Sequence, residues 1–165
     1  MKKKTIALLC AFTIALPFSL TAFANEVEED YSNVSAMALP ERTAPLVDYQ
    51  QDLQELLAIL NTANLNTLKG LGGEGNVFNE EENQKAIVLI QDINKAISSK
   101  TFKTDAGNTV KAALIAFNNA SVDTISTHAK WQNNRELQVQ ISENIAQLNQ
   151  DLLQAILDLK YLAEE

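Results

Sequence analysis

Residues 137 to 159 read LQVQISENIAQLNQDLLQAILDL. The large aliphatic residues Leu137, Ile141, Ile145, Leu148, Leu152, Ile156 and Leu159 step by four, four, three, four, four and three. An α-helix turns about 100° per residue, so these steps draw one apolar stripe along one side of a helix. A strand would need alternation with a period of two, and none occurs here. Most of the run keeps a seven-residue repeat, the pattern of a helix packed lengthwise against others. Asn133 and Asn134 mark the start, and Asn133 with Glu136 three residues on has the spacing of a capping box. Glu164 and Glu165 add negative charge to a helix end that is already negative, which predicts a frayed last turn.

Three further helical patterns precede it. One starts near Thr104 or Asp105 and runs to about Gln132, with Val110, Leu114, Phe117, Ser121, Ile125, His128 and Trp131 in its stripe and Ala113 and Ala120 beside it. Before it, Asn79 is placed to cap a helix whose first turn carries Glu80, Glu81 and Glu82 at the positive end of the dipole. That helix buries Ala86, Ile90, Ile93 and Ile97, with Ile87 and Leu89 widening the stripe. The first helix spans about Pro45 to Thr67, with Leu46, Leu53, Leu56, Leu57, Leu60, Ala63 and Leu68 at helical spacing. Pro45 suits a first helical position, where its missing N–H costs nothing. The expected fold is therefore all-α: a four-helix antiparallel bundle over residues 45–165, up-down-up-down because its connections are short. No Gly or Pro separates the third helix from the fourth, so one long bent helix is the rival geometry.

The chain ahead of the bundle divides in two. Residues 25–44 are acidic and poor in large apolar groups, and read as a flexible arm with Tyr31, Val34, Met37 and Leu39 as its only docking anchors. Residues 1–24 read as a secretory signal peptide. Lys2, Lys3 and Lys4 precede an apolar run from Ile6 to Leu20, and Ala22-Phe23-Ala24 forms a small-x-small site before an acidic stretch. Cleavage is expected between Ala24 and Asn25. The run is short for a membrane span and no basic stop-transfer cluster follows, so no stable span is expected after cleavage. The short lysine-rich start looks bacterial, which points to the periplasm or to secretion.

The charge is −8 over the whole chain, and loss of the three leader lysines takes it to −11. A surface so negative disfavours nucleic acid and anionic lipid. Cys10 is the only cysteine and leaves with the leader, which removes disulfides, thiol catalysis, thiolate metal sites and covalent haem attachment. No cofactor is expected. Asn and Gln number 27 of the 141 remaining residues, against 21 acids. The polar faces are thus rich in uncharged amides, which read first as solvated surface and codon bias, and in the alternative as amides of the last two helices that set pairing with another helix.

Four constellations bear on function. Gly70-Leu71-Gly72-Gly73-Glu74-Gly75 fits G-x-G-x-x-G, but a helix precedes it, the next helix opens several residues later, and Glu74 would repel a phosphate. It reads as an interhelical connection. Glu80, Glu81 and Glu82 point 100° apart and do not converge on a cation. His128 and Trp131, three apart on one helix face with Asp123 or Thr124 one turn earlier, are the nearest thing to a site, but read first as His128 bordering the core and Trp131 capping one end of the bundle, with a small pocket or partner contact as the alternative. A lone histidine lacks the co-ligands zinc needs, and no nucleophile motif accompanies it. Lys95, Lys100, Lys103 and Lys111 surround the connection between the second and third helices, with Phe102 in their midst as either a contact anchor or a core plug.

The function expected from these residues is non-enzymatic: a small exported helical protein that binds an unidentified protein partner. Either a monomer or a homodimer fits. An immunity-type inhibitor of an envelope-acting toxin is one alternative, since negative charge would steer it to a basic enzyme. A small-ligand carrier or enzyme with an interhelical pocket near His128 and Trp131 is the other.

Overall fold

Thr104 and Asn134 decide where two helices begin. Both have extended backbone, and each turns a side-chain oxygen onto the N–H three residues on: Thr104 Oγ1 accepts from Gly107 at 2.9 Å, and Asn134 Oδ1 from Leu137 at 3.2 Å. The computed structural model describes residues 39–62 and 80–164. Among these the protein is all-α, with no strand. Its helices are α1, Leu46–Thr62; α2, Glu80–Ser98; α3, Asp105–Ser126; α4, a single turn at His128–Trp131; and α5, Arg135–Ala163. The expected signal peptide with its Ala24–Asn25 cleavage site, most of the arm, the glycine-rich connection and Asn79 lie outside the described residues.

The core forms where all four long helices bring in their stripes. Tyr49, Leu56 and Leu60 of α1 meet Ile93 and Ile97 of α2, Val110, Leu114 and Phe117 of α3, and Ile145, Leu152 and Leu159 of α5. A smaller cluster joins Ala86 and Ile90 in the first half of α2 to Ile125 near the end of α3. The α2–α3 seam also carries amides. Asn118, buried on α3, donates to Asn94 Oδ1 at 2.8 Å, and Asn94 donates to Asn119 at 2.9 Å. A buried amide left unpaired costs about 1–3 kcal/mol, so this bridge favours one register of α2 on α3.

The structure corrects several expectations. The third helix stops at Ser126 rather than Gln132. The Ser121, Thr124 and Thr127 hydroxyls each donate to the carbonyl four residues back, at 2.8–2.9 Å. Such bonds compete with the backbone ladder and bend helices. The chain turns at Thr127, and α4 folds Trp131 back until its indole N–H donates to Thr124 O at 2.8 Å. One continuous helix is thereby ruled out. The cap of α5 is Asn134, one residue later than the capping-box spacing of Asn133 and Glu136 places it. Within α5 the buried positions are Ile145, Leu152, Ala155, Leu159, Leu162 and Ala163, while Leu148 and Ile156 are half-buried. The small Ala155 faces the core in place of the larger Ile156.

The last turn of α5 does not fray, because its carbonyls find donors on another segment. Arg42 Nε donates to Leu162 O at 2.9 Å, a second guanidinium nitrogen donates to Glu164 O, and Gln50 Nε2 donates to Ala163 O at 3.3 Å. A guanidinium there also offsets the negative end of the helix dipole. Residues 42–44, expected within the free arm, are tied down in the same way. Thr43 N donates to the Tyr49 hydroxyl at 2.9 Å and Ala44 packs against the core.

Candidate functional site

The head of α3 is the most densely bonded polar site among the described residues. Asp52 reaches it from α1 and is only 2 % exposed. Its carboxylate accepts from Lys103 N at 2.9 Å, Thr104 N at 2.8 Å and Thr104 Oγ1 at 2.7 Å. Thr104 in turn caps the helix through Gly107 N. A Cβ on Gly107 would lie 2.4 Å from Asp52 Oδ2 and 2.9 Å from Phe102 Cδ1, so glycine is what lets the carboxylate and the ring approach the helix. Three donors on one buried carboxylate at a helix N-terminus fix α1 to α3.

Phe102 is therefore a core plug, 4 % exposed, with no face for a partner. Lys103 lies beside it on the surface, and its ammonium bonds to Asp48, 3.3 Å away, and to Gln51 on α1. Of the lysine patch, Lys100, Lys103 and Lys111 are offset by α1 and by helix ends. Lys100 pairs with Glu55 at 2.8 Å, and Lys111 donates to the carbonyls of Ser98 and Lys100 at 3.0 and 2.6 Å at the end of α2. The positive spot expected from the local sequence is thus largely consumed by partners about fifty residues away in the chain and by carbonyls.

His128 and Trp131 do come together, with ring centroids 5.0 Å apart at 90°. Trp131 is 1 % exposed and its one donor is committed to Thr124 O. Gln138 closes the same turn by donating to Trp131 O and Gln132 O at 3.1 and 2.8 Å. His128 is half-buried against this turn, and partial burial holds its pKa below the ordinary value of 6.5. The pair builds the α3–α5 corner. Asp123 and Thr124 contribute backbone carbonyls to it rather than side chains that converge with His128.

A different feature is open to solvent. The outward side of α2 carries a depression of about 400 Å³ lined by Glu81, Gln84, Lys85, Val88, Leu89 and Asp92. Val88 is 47 % exposed at its middle. Leu89 joins the depression to both core clusters. Lys85 pairs with Glu81 at 2.8 Å one helical turn away, which holds the Glu81 carboxyl below its usual range. Asn94 faces α3 through the amide bridge, leaving the Val88 side unoccupied by α3. The depression is not legible in the α2 stripe, which marks only the buried side of the helix. The available signal was Val88 itself, a β-branched apolar residue on the charged side of a helix.

No group of three or more His, Cys, Asp or Glu among the described residues could hold a metal ion. No described helix is long and apolar enough to cross a membrane. No protein-family model, no curated protein and no solved structure matches the chain.

Proposed function

We propose that this protein is exported by a cleaved leader and acts by binding another protein, with no chemistry of its own. The observation that carries the binding reading is the depression on α2, where Val88 and Leu89 offer apolar surface inside a charged rim. A valine at an exposed helix position is a poor choice for helix stability, by a few tenths of a kcal/mol against Ala or Lys. The buried polar side chains Asp52, Thr104, Asn118, Ser121 and Thr124 are all engaged in caps, back-bonds or helix–helix bridges. That supports a structural rather than a catalytic interior.

The finer architecture belongs to the same proposal: an antiparallel four-helix bundle of up-down-up-down order. It is supported by the contacts at the helix ends. The start of α1 bonds to the end of α5, the end of α2 to the start of α3, and the first half of α2 packs on the last part of α3.

Two experiments test this reading. Intact mass of the exported protein should correspond to a chain starting at Asn25; a membrane-bound product retaining residues 1–24 refutes the export step. Immobilised mature protein should retain a defined protein from envelope extract at physiological salt. Retention of nothing beyond what an unrelated acidic protein retains refutes the binding step.

A further inference from the structure

We infer that the α2 depression takes a basic, amphipathic helical segment of the partner, with one aliphatic side chain seated against Val88 and Leu89. The inference rests on the protein-binding reading above and names the chemistry of what binds. Shape and length come first. The lining residues recur from Glu81 to Asp92 along one side of a helix, a span of about 16 Å at 1.5 Å per residue. A second helix laid alongside would match it over about three turns, presenting anchors at i, i+3 and i+7. An extended strand has no edge to pair with here, because every described element is helical.

Charge then selects among helices. Glu81 lines one end of the depression and Asp92 the other, and Glu80 precedes Glu81 at the start of α2. Lys85 is offset by Glu81, and Lys95 lies one turn beyond Asp92. With Glu81 and Lys85 paired, Asp92 leaves the lining with a net charge of −1, on a chain that is acidic throughout. A second copy of this chain would bring acids against acids, and an anionic lipid surface or a nucleic acid meets the same repulsion. A segment with a lysine or arginine one turn from a leucine or isoleucine meets attraction at Asp92 and burial against Val88 and Leu89.

The test uses a 14-residue peptide of leucine and lysine at helical spacing, and a matched peptide with glutamate for lysine. The mature protein should bind the lysine peptide at low micromolar Kd and the glutamate peptide at least about tenfold more weakly. Val88→Lys and Asp92→Lys should each weaken the lysine peptide about tenfold or more, and both should keep the wild-type Tm because the positions are exposed. Asp151→Lys, an equal charge change on the exposed side of α5, should move Kd less than about twofold. Amide shifts on titration should concentrate in residues 81–92. The inference is overturned by no binding, by equal affinity for both peptides, by equal weakening from Asp151→Lys, or by shifts centred elsewhere. A homodimer that Val88→Lys dissociates would assign the face to a second copy and overturn it too. Envelope capture separates this failure from that of the broader reading. If wild-type and Val88→Lys proteins retain the same partner equally, binding stands and this site falls; if wild type retains nothing, the binding reading itself falls.

Discussion

Gly107→Ala should destabilise this protein, against the usual direction for a helical glycine. Replacing Gly by Ala inside a helix ordinarily stabilises by up to about 1 kcal/mol, through backbone entropy. At Gly107 the new methyl would sit 2.4 Å from Asp52 Oδ2, 2.9 Å from Asp52 Cγ and 2.9 Å from Phe102 Cδ1. Phe102 is packed in the core and cannot retreat freely. The Asp52 carboxylate must move by roughly an ångström, and it holds three donors at 2.7–2.9 Å. A hydrogen bond to a charged acceptor contributes about 1.5–3 kcal/mol, and overpacking a filled site costs about 1–3 kcal/mol. Losing one such bond and adding the strain, less a helical gain of about 1 kcal/mol, gives a net cost of about 1.5–5 kcal/mol.

Urea unfolding followed by circular dichroism measures it directly, with an unchanged slope and a lowered midpoint. At this chain length the loss corresponds to roughly 4 °C per kcal/mol in Tm. Asp52→Ala alone should also destabilise, because it leaves the Lys103 and Thr104 N–H groups without their acceptor. The double variant should cost less than the sum of the two by about 1 kcal/mol or more, since the clash needs the carboxylate. A Gly107→Ala protein as stable as wild type, or additivity in the cycle, would refute the packing described at the head of α3.

Leu152→Ala removes a side chain buried on all sides and should cost about 2–5 kcal/mol, while Leu148→Ala, at a partly buried position, should cost less than half as much; equal losses in Tm would contradict the burial pattern of α5. Arg42→Ala should raise amide exchange at Leu162 and Ala163 without changing it at Val110 or Leu114, because the guanidinium serves only the end of α5. Burial lowers the folded-state pKa of His128, so between that value and 6.5 the unfolded chain binds more protons. Its contribution is therefore intact above about pH 6.5 and is lost as pH falls below it. The urea midpoint of His128→Gln should decline less than that of wild type between pH 7.5 and 5.5, and parallel declines would sink the assignment.

What the sequence disclosed was the local and periodic part of the fold. The four stripes, the acidic start of α2 and the Thr104 boundary of α3 rest on residues within one or two turns of each other. What stayed hidden depends on distant partners. Arg42 reaches carbonyls 120 and 122 residues away, and nothing near Glu164 signals that its helix end is satisfied. The lysines between α2 and α3 looked like a positive patch because their acids sit on α1. The stop at Ser126 has no Gly or Pro. It depends on hydroxyls bonding backward and on Trp131 turning in toward Thr124, neither of which periodicity reports. Ala155 was passed over for Ile156 because apolar size was read in place of direction. The α2 depression was invisible for a related reason, since an exposed valine among charges carries no pattern of its own.

The proposal of binding through α2 is tested most directly by site-specific photo-crosslinking in the cells that make the protein. A benzophenone amino acid would be placed at Val88, and separately at Gln147 on the exposed side of α5. The account predicts one discrete covalent adduct with another protein from position 88, lost when Asp92 is also changed to Lys, and none from position 147. Adducts from 147 but not 88, or none from either position, would contradict it.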